Sequence, residues 1–216
     1  MNSNNNSNNN NNMYLFKSLN IPIFNDLTTF CDEIGISTKL IFLILNDSKK
    51  FYETFNLKKK NGEIREINSP KFSLKLIQKW ILKHILERIK VSDESMAFRI
   101  DKLGGIKTNA DKHKYSLYIL EMDMKDFFNS ITEKRVFFIF KSIGYNNDAA
   151  KILTKICTYD GYLPQGGVCS PYLSNLVCIK LDKRITGLCS NRDIIYSRYA
   201  DDCVPRKRGK QLVRVA

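Results

Sequence analysis

The chain has 216 residues, of which 43% are hydrophobic and 26% are charged, and its formal net charge is +13. This length fits one domain or slightly more, and the composition excludes a chain that is disordered throughout. No apolar run approaches the roughly 20 residues that a membrane-spanning helix needs. The first residues also lack the basic and apolar segments that are typical of a secretory signal.

The positive charge favours a polyanionic partner, because Lys and Arg displace condensed counterions from phosphate backbones. Part of it lies in the closing run of residues 204–216, but the rest of the chain is basic as well. On charge alone, a basic protein without such a partner remains an alternative.

The cysteines predict a reducing environment. The chain has six cysteines and two histidines, and no two cysteines have the CxxC spacing of a zinc site. Most of the cysteines lie in apolar stretches, as reduced core thiols do. We therefore expect a cytoplasmic protein.

The N-terminal segment is predicted to hold a leader followed by helices. Residues 1–13 are rich in asparagine without apolar periodicity, and we expect them to be a disordered leader. Residues 14–50 follow a helical pattern in which Asp26 and Ser37 stand at N-cap positions.

A hairpin and a long helix are predicted next. Two aromatic and β-branched runs between residues 51 and 67 flank Asn61-Gly62, which is typical of a hairpin turn. Pro70 then precedes an amphipathic stretch that predicts a helix.

The second half of the chain mixes strands that end on acids with helices. Residues 117–123 predict a buried strand that ends on Asp123, and residues 193–199 predict a second strand that precedes Asp201 and Asp202. Three helices are predicted between the strands, over 131–144, from Asn146 and from Ser170. The pattern therefore predicts an α+β fold in which a small sheet packs with helices.

Three carboxylates meet if the two strands are neighbours in one sheet. Like charges at such a distance raise one another's pKa unless a hard divalent cation lies between them. Mg²⁺ prefers oxygen ligands, and two such ions can activate a 3′-hydroxyl and stabilise a leaving pyrophosphate. Taken alone, the Asp201-Asp202 pair also fits an ordinary exposed turn.

Three motifs resemble successive palm motifs of reverse transcriptases in order and spacing. They are MDMKDFFNSI at 122–131, LPQGGVCSPYLSNL at 163–176 and YADD at 199–202. IKTNADKH at 106–113 resembles the Asn-Ala-x-x-His signature of retron enzymes, whereas QGGVCSP is closer to the group II intron type.

The resemblance implies a right-hand polymerase fold. Fingers are expected over 51–116 and a partial palm over 117–203, with an atypical basic tail over 204–216 and the thumb absent. Pro205 argues against a strand after YADD, because proline cannot donate to a sheet ladder. Two explanations of the closing run stay open: a truncated or broken coding frame, or a short nucleic-acid-binding tail.

Catalytic roles follow from the resemblance residue by residue. It implies that Asp123, Asp201 and Asp202 are the catalytic acids and hold two Mg²⁺ ions. Phe128 matches the aromatic gate that excludes ribonucleotides, while Phe127 is the better core candidate.

Further positions match nucleotide-binding and signature residues. Gln165 and Gly166 match a segment that packs against the incoming nucleotide, and Arg65, with Lys60, matches the position that neutralises the triphosphate. Asn109 and His113 belong to the retron-like signature, with a structural or RNA-contacting role.

The resemblance therefore implies a retron-type RNA-directed DNA polymerase that copies a structured non-coding RNA with deoxynucleoside triphosphates. A branched RNA–DNA product, defence against phage and an effector protein as a further partner are implied by the resemblance alone. The alternatives are a non-catalytic RNA-binding remnant of such an enzyme and a fragment of a group II intron-type maturase.

Overall fold

The computed structural model describes residues 14–58, 62–101 and 103–208. Its helices are α1 (14–19), α2 (Leu27–Ile34), α3 (Thr38–Asn46), α4 (Phe72–His84), α5 (Ile106–Lys112), α6 (Glu133–Ile143), α7 (Asn147–Cys157) and α8 (Ser170–Ser190). Its strands are β1 (Tyr52–Lys58), β2 (Ile64–Pro70), β3 (Ser116–Ile119), β4 (Met122–Asp123), β5 (Ile194–Tyr199) and β6 (Asp202–Arg208). The predicted α+β class is confirmed.

The chain divides into two compact units, each built from two separate stretches. Among the described residues, the first unit comprises those up to Lys90 together with Phe128–Leu173, and the second comprises those of Val91–Phe127 and those from Ser174 to Arg208. Helix α8 begins in the first unit and ends in the second.

Helices α2 and α3 begin where the sequence places their caps. The Asp26 carboxylate accepts a hydrogen bond from the backbone N–H of Thr29 at 2.9 Å, and the Thr29 hydroxyl accepts from the Asp26 N–H at 3.2 Å. This reciprocal capping box fixes the start of α2, and the Ser37 side chain caps α3. Gly35, at φ 69°, ends α2 in the left-handed conformation that glycine adopts without strain.

The core of the first unit is aromatic on one side. The ring of Phe24 lies 4.8 Å from that of Phe30 and 4.9 Å from that of Tyr145, and Phe30 meets Trp80 edge-on at 6.2 Å. These contacts join α2, α4 and the segment that precedes α7. Aromatic pairs of this kind add about 1 kcal/mol each beyond the burial of their area.

The Gln78 side chain connects helix α4 to three other segments of the first unit. Its side-chain amide is fully buried and donates to the Tyr52 hydroxyl and to the Ile156 carbonyl, at 2.8 Å each, while its oxygen accepts from the Val168 N–H at 3.0 Å. Because buried polar groups need partners, this one side chain fixes β1, α7 and the 163–169 loop against α4.

The second unit is built on a four-stranded antiparallel sheet whose central strand is β6. Strand β5 pairs along one side of β6, and β3 and β4 pair in succession along the other. Cys189, Tyr196 and Cys203 form its buried core, and partly buried apolar side chains pack against them.

The prediction of a buried strand over 117–123 was wrong. The stretch is divided into β3 and β4, and its large apolar side chains are exposed: Leu117 is 70% accessible, Tyr118 71%, Ile119 52% and Leu120 56%. Strand β3 is an edge strand that pairs only with β6 among the described residues. Apolar composition therefore did not indicate burial here.

The expectation that the chain leaves the sheet after YADD was also wrong. Residues 202–208 form the central strand β6, so the first residues of the predicted tail are part of the sheet. The Pro205 carbonyl accepts from the Leu120 N–H at 3.0 Å. The N–H and C=O of a strand residue point to the same side of the strand. The side on which Pro205 lacks an N–H therefore faces the break between β3 and β4, where the ladder is already interrupted.

All six cysteines are free and buried, as predicted. Among the described residues, no helix is long and apolar enough to cross a membrane.

Candidate active site

A tight turn between β5 and β6 presents the two adjacent acids. Tyr199 pairs with Asp202, so the connection consists of Ala200 and Asp201 alone. Ala200 has a φ of 59°, a left-handed conformation that costs a residue with a Cβ about 1 kcal/mol. Two-residue hairpin loops favour such a conformation, because it matches the twist of the flanking strands.

The third acid lies directly opposite this turn. Asp123, in β4, is the register partner of Asp202 in β6, and the Met124 N–H donates to the Asp201 carbonyl at 3.2 Å. Directly opposed residues of an antiparallel pair have Cβ atoms about 5 Å apart. The sheet therefore brings together the three carboxylates that the sequence singled out.

The electrostatics of Asp202 agree with this placement. Partial burial raises the pKa of Asp202 above its usual range, and the neighbouring charges of Asp201, Asp123 and Glu121 raise it further. Carboxylates that repel in this way form the hard, anionic donor set that suits Mg²⁺. In the described part of the chain, however, no three His, Cys, Asp or Glu side chains are already arranged as a metal-binding group. The donor chemistry of the three acids thus fits the ion.

A buried ion pair, which sequence reasoning missed, lies beneath the turn. Arg198 and Asp182 are both fully buried, and the guanidinium Nε and Nη2 each donate to one Asp182 oxygen at 2.9 Å. The Tyr196 hydroxyl also donates to Asp182 at 2.9 Å. Removing one partner of such a pair typically costs roughly 3–5 kcal/mol, because a buried charge is left unpaired. The signal in the sequence is an arginine inside an otherwise uncharged strand.

The retron-like signature residues hold the opposite face of β5. The Ser197 hydroxyl donates to the Asn109 Oδ1 at 2.6 Å, and the Nε2 of buried His113 lies 2.5 Å from the same hydroxyl oxygen. Since the single hydroxyl proton points to Asn109, His113 is assigned as the donor to Ser197 through Nε2–H. Both signature residues therefore contact the strand that leads into the Ala200–Asp201 turn.

The environment of His113 keeps its imidazole neutral. Burial lowers the pKa of His113 to about 4, and the positive charges of Arg206 and Lys112 act in the same direction. Its Nδ1 is buried without a hydrogen-bond partner among the described residues.

The candidate nucleotide-binding residues of the first unit converge on β2. The Asn68 N–H donates to the Gln165 carbonyl at 2.7 Å. Gly166 has a φ of 108°, and a Cβ there would lie 2.9 Å from the Ile67 side chain. Only glycine fits this close approach of two backbones. Arg65 is exposed on the same strand two residues before Ile67, so it shares a face with that side chain.

The remaining candidates differ in how far the structure describes them. Phe127 is buried, as predicted, and Phe128 is half-buried. Lys60 lies outside the described residues.

Neutralising Asp202 should stabilise the fold at neutral pH. Because its folded pKa is raised, its ionisation opposes folding at every pH above that value. We expect Asp202→Asn to raise the free energy of unfolding at pH 7, measured by denaturant titration. The gain should shrink as the pH falls through the folded pKa towards 3.8, where the wild-type carboxyl becomes protonated in both states. Asp111→Asn, at an exposed position on α5, is the control and should give no such gain at pH 7. An equal gain for Asp202→Asn at all pH values would contradict a raised pKa of Asp202.

His113 should make the fold less stable in acid. The unfolded chain binds a proton at His113 near pH 6.5, whereas the folded chain does so only near pH 4. Stability should therefore fall as the pH drops from about 6.5 to about 4, and His113→Gln should remove this part of the loss. His84→Gln, at the only other histidine, should leave it in place. A ¹⁵N spectrum of the wild type at pH 6 that shows a charged His113 would contradict the expectation.

Comparison with known proteins places the sequence in a family. The family model described as reverse transcriptase (RNA-dependent DNA polymerase) matches residues 57–211, which include all three acids, the signature residues and β2.

The curated relatives include retron enzymes. The retron Ec86 reverse transcriptase of Escherichia coli is 39% identical over 88% of this chain and 59% of its own length. The retron Mx162 enzyme of Myxococcus xanthus is 32% identical over 72% of this chain and 36% of its own length. The chain thus spans between about a third and three fifths of the length of these two relatives.

A solved structure of telomerase from Candida albicans, in complex with a fragment of telomeric RNA, also aligns. It covers 73% of this chain and 38% of the telomerase chain, with a TM-score of 0.49 and 11% identity. The family assignment is made on the sequence match, which spans more than half of the chain. The chain belongs to the reverse transcriptase (RNA-dependent DNA polymerase) family.

Proposed function

We propose that this protein is an RNA-directed DNA polymerase of the retron type. The observation that carries the proposal is the pairing of Asp123 with Asp202, beside Asp201 in a two-residue turn, within a chain of the reverse transcriptase family. Nucleotidyl transfer needs such a cluster of acids, because the reacting groups are themselves anionic and require metal ions to neutralise them.

The three acids are the proposed ligands of two Mg²⁺ ions. When bound, these ions lower the barrier to attack of a primer 3′-hydroxyl on the α-phosphate of a nucleotide by neutralising the charge that develops. The protein's own contribution is to hold Asp123 and Asp202 on neighbouring strands at a fixed separation, so that little reorganisation is needed at the moment of reaction.

The first unit supplies the proposed nucleotide contacts. Arg65 is exposed on β2, and a guanidinium matches the geometry of phosphate oxygens. The Gln165–Gly166 segment lies against the same strand. These residues are proposed to bind the triphosphate and to position the base of the incoming deoxynucleotide.

The proposed template and primer are parts of a structured RNA. The support is the net charge of +13 and the likeness to retron reverse transcriptases. The retron likeness favours this assignment over a group II intron-type maturase.

Primer extension tests the polymerase proposal. The full chain, Mg²⁺ and deoxynucleotides are incubated with a DNA primer on an RNA template, and labelled product is quantified. We expect Asp201→Asn to reduce the rate at least ~100-fold, since the loss of a ligand to the ions removes several kcal/mol of transition-state stabilisation. Asp111→Asn, an exposed acid on α5, is the control and should retain the wild-type rate.

The same assay separates the second candidate, a non-catalytic RNA-binding protein, which the positive charge favours. Binding of RNA in a gel-shift assay, without any incorporation that depends on Asp201, would replace the polymerase proposal with this candidate. Absence of both binding and incorporation would remove both.

Phe128 is proposed to exclude ribonucleotides by steric contact with the 2′-hydroxyl. Phe128→Ala should raise the incorporation of ribonucleotides relative to deoxynucleotides by roughly tenfold or more, because discrimination by exclusion disappears with the ring. Phe138→Ala, which removes a 56% exposed ring from α6, is the matched control. An unchanged ratio in Phe128→Ala would show that this ring does not discriminate.

A further inference from the structure

Arg198, in the strand that leads into the candidate catalytic turn, is held through both its backbone and its side chain. Its backbone N–H donates to the Glu94 carbonyl at 2.8 Å, and its carbonyl accepts from the Met96 N–H at 2.7 Å. Its side chain, which is fully buried, points to helix α8, where it forms the bidentate pair with Asp182. These contacts fix the position of the guanidinium independently of its contact with the turn.

The same guanidinium binds the turn itself. Nη1 donates to the Ala200 carbonyl at 2.8 Å and lies 3.2 Å from the Asn175 Oδ1. Asn175 is in turn held by the Ser95 hydroxyl at 2.7 Å and by the Ala97 carbonyl at 2.9 Å. The planar guanidinium of Arg198 thus connects Asp182 in helix α8 to the Ala200 carbonyl in the turn.

This contact acts at the point where the backbone departs from ordinary strand geometry. Ala200 is left-handed, and the orientation of its carbonyl determines how Asp201 and Asp202 leave the turn. A donor held by a buried carboxylate restricts that orientation more tightly than hydrogen bonding to water does. A lysine at this position would supply the charge but not the fork, which donates in several directions within one plane.

We propose that Arg198 is a positioning residue for the catalytic acids. Acting through the Ala200 carbonyl, it fixes Asp201 and Asp202 relative to Asp123, and Asp182 orients the guanidinium for this task. The proposal rests on the proposed polymerase function but makes a separate claim about it. A residue needed for folding alone would affect stability without affecting the binding of metal ions or the rate of the chemical step.

The decisive variant removes both charges together. In R198M/D182N no buried charge is left unpaired, and the amide oxygen that D182N introduces remains available to accept from the Tyr196 hydroxyl. Replacing a buried ion pair by uncharged side chains is often tolerated by the fold. The hydrogen bond to the Ala200 carbonyl, however, is lost. The matched control, K151M/D148N, removes an exposed ion pair on α7.

Primer extension by the full chain is the first measurement. We expect R198M/D182N to unfold cooperatively and to bind RNA as the wild type does. Its kcat should fall at least ~10-fold, while its KM for the deoxynucleotide should change less than about twofold, because the lost interaction acts on the catalytic acids. A wild-type kcat in a folded R198M/D182N would overturn the proposal.

The second variant, R198K, retains the charge beside Asp182 but not the fork. It should fold and show the same loss of kcat. If R198K has wild-type kcat, or if neither variant folds, the pair serves folding and the positioning role is rejected.

A readout that does not need activity separates this proposal from the polymerase proposal. Binding of Mn²⁺ to the full chain is followed by electron paramagnetic resonance, with Asp202→Asn identifying the site. We expect R198M/D182N to bind Mn²⁺ at least ~5-fold more weakly than the wild type and K151M/D148N to bind it equally, because ligands held less firmly lose affinity. If the wild type extends no primer but this difference is found, the polymerase proposal fails and the positioning role stands. Equal Mn²⁺ binding in an active wild type and in R198M/D182N would overturn the positioning role alone.

Discussion

The antiparallel pairing of β6 with both β4 and β5 is the constraint on which the candidate site depends. It places Asp202 opposite Asp123 and beside Asp201, so backbone hydrogen bonds hold together groups that repel one another. Partial burial raises the pKa of Asp202, and the neighbouring charges of Asp201, Asp123 and Glu121 raise it further, so repulsion among the acids contributes to the shift. A fold tolerates such repulsion only when other interactions hold the same elements in place. In this molecule those interactions surround β5 and satisfy its polar side chains on both faces.

The alternation of side chains along β5 explains how its polar side chains are satisfied on both faces. Tyr196 and Arg198 face helix α8 and share Asp182, whereas Ser197 faces the other way and is held by Asn109 and His113. The contacts of the two signature residues support β5, since a neutral, buried imidazole donates to Ser197 and Asn109 accepts from it. The lowered pKa of His113 favours this role, because the donor stays uncharged at neutral pH and requires no counterion in the core.

The sequence predicted local features well and non-local ones poorly. Helix caps at Asp26 and Ser37 and the burial of Phe127 were readable, because they depend on short-range hydrogen bonds or on side-chain alternation. The meeting of the three acids is non-local, and it was expected from the resemblance of the motifs that carry them. The exposure of β3 and the central place of Pro205 were not, because both depend on which strands become neighbours. A proline is excluded from a ladder only where its missing donor is needed, and the break between β3 and β4 removes that need. The pair between Arg198 and Asp182 escaped notice for the same reason, as the two residues lie 16 positions apart.

The polar side chains beneath the turn restrict the conformation of the turn more than they stabilise the fold. Apolar residues of similar volume at positions 182 and 198 would hold β5 against α8 about as firmly, because the attraction within a buried ion pair is largely offset by the desolvation of its charges. They would not, however, fix the direction of the Ala200 carbonyl. Ala200, in the left-handed region, also restricts the turn. Glycine at this position would adopt the same conformation without strain, but it would also allow other conformations. Ala200 and the buried Arg198 guanidinium that binds its carbonyl thus restrict the turn to one conformation. That restriction is what a site built from mutually repelling acids requires, since repulsion by itself would drive the carboxylates apart.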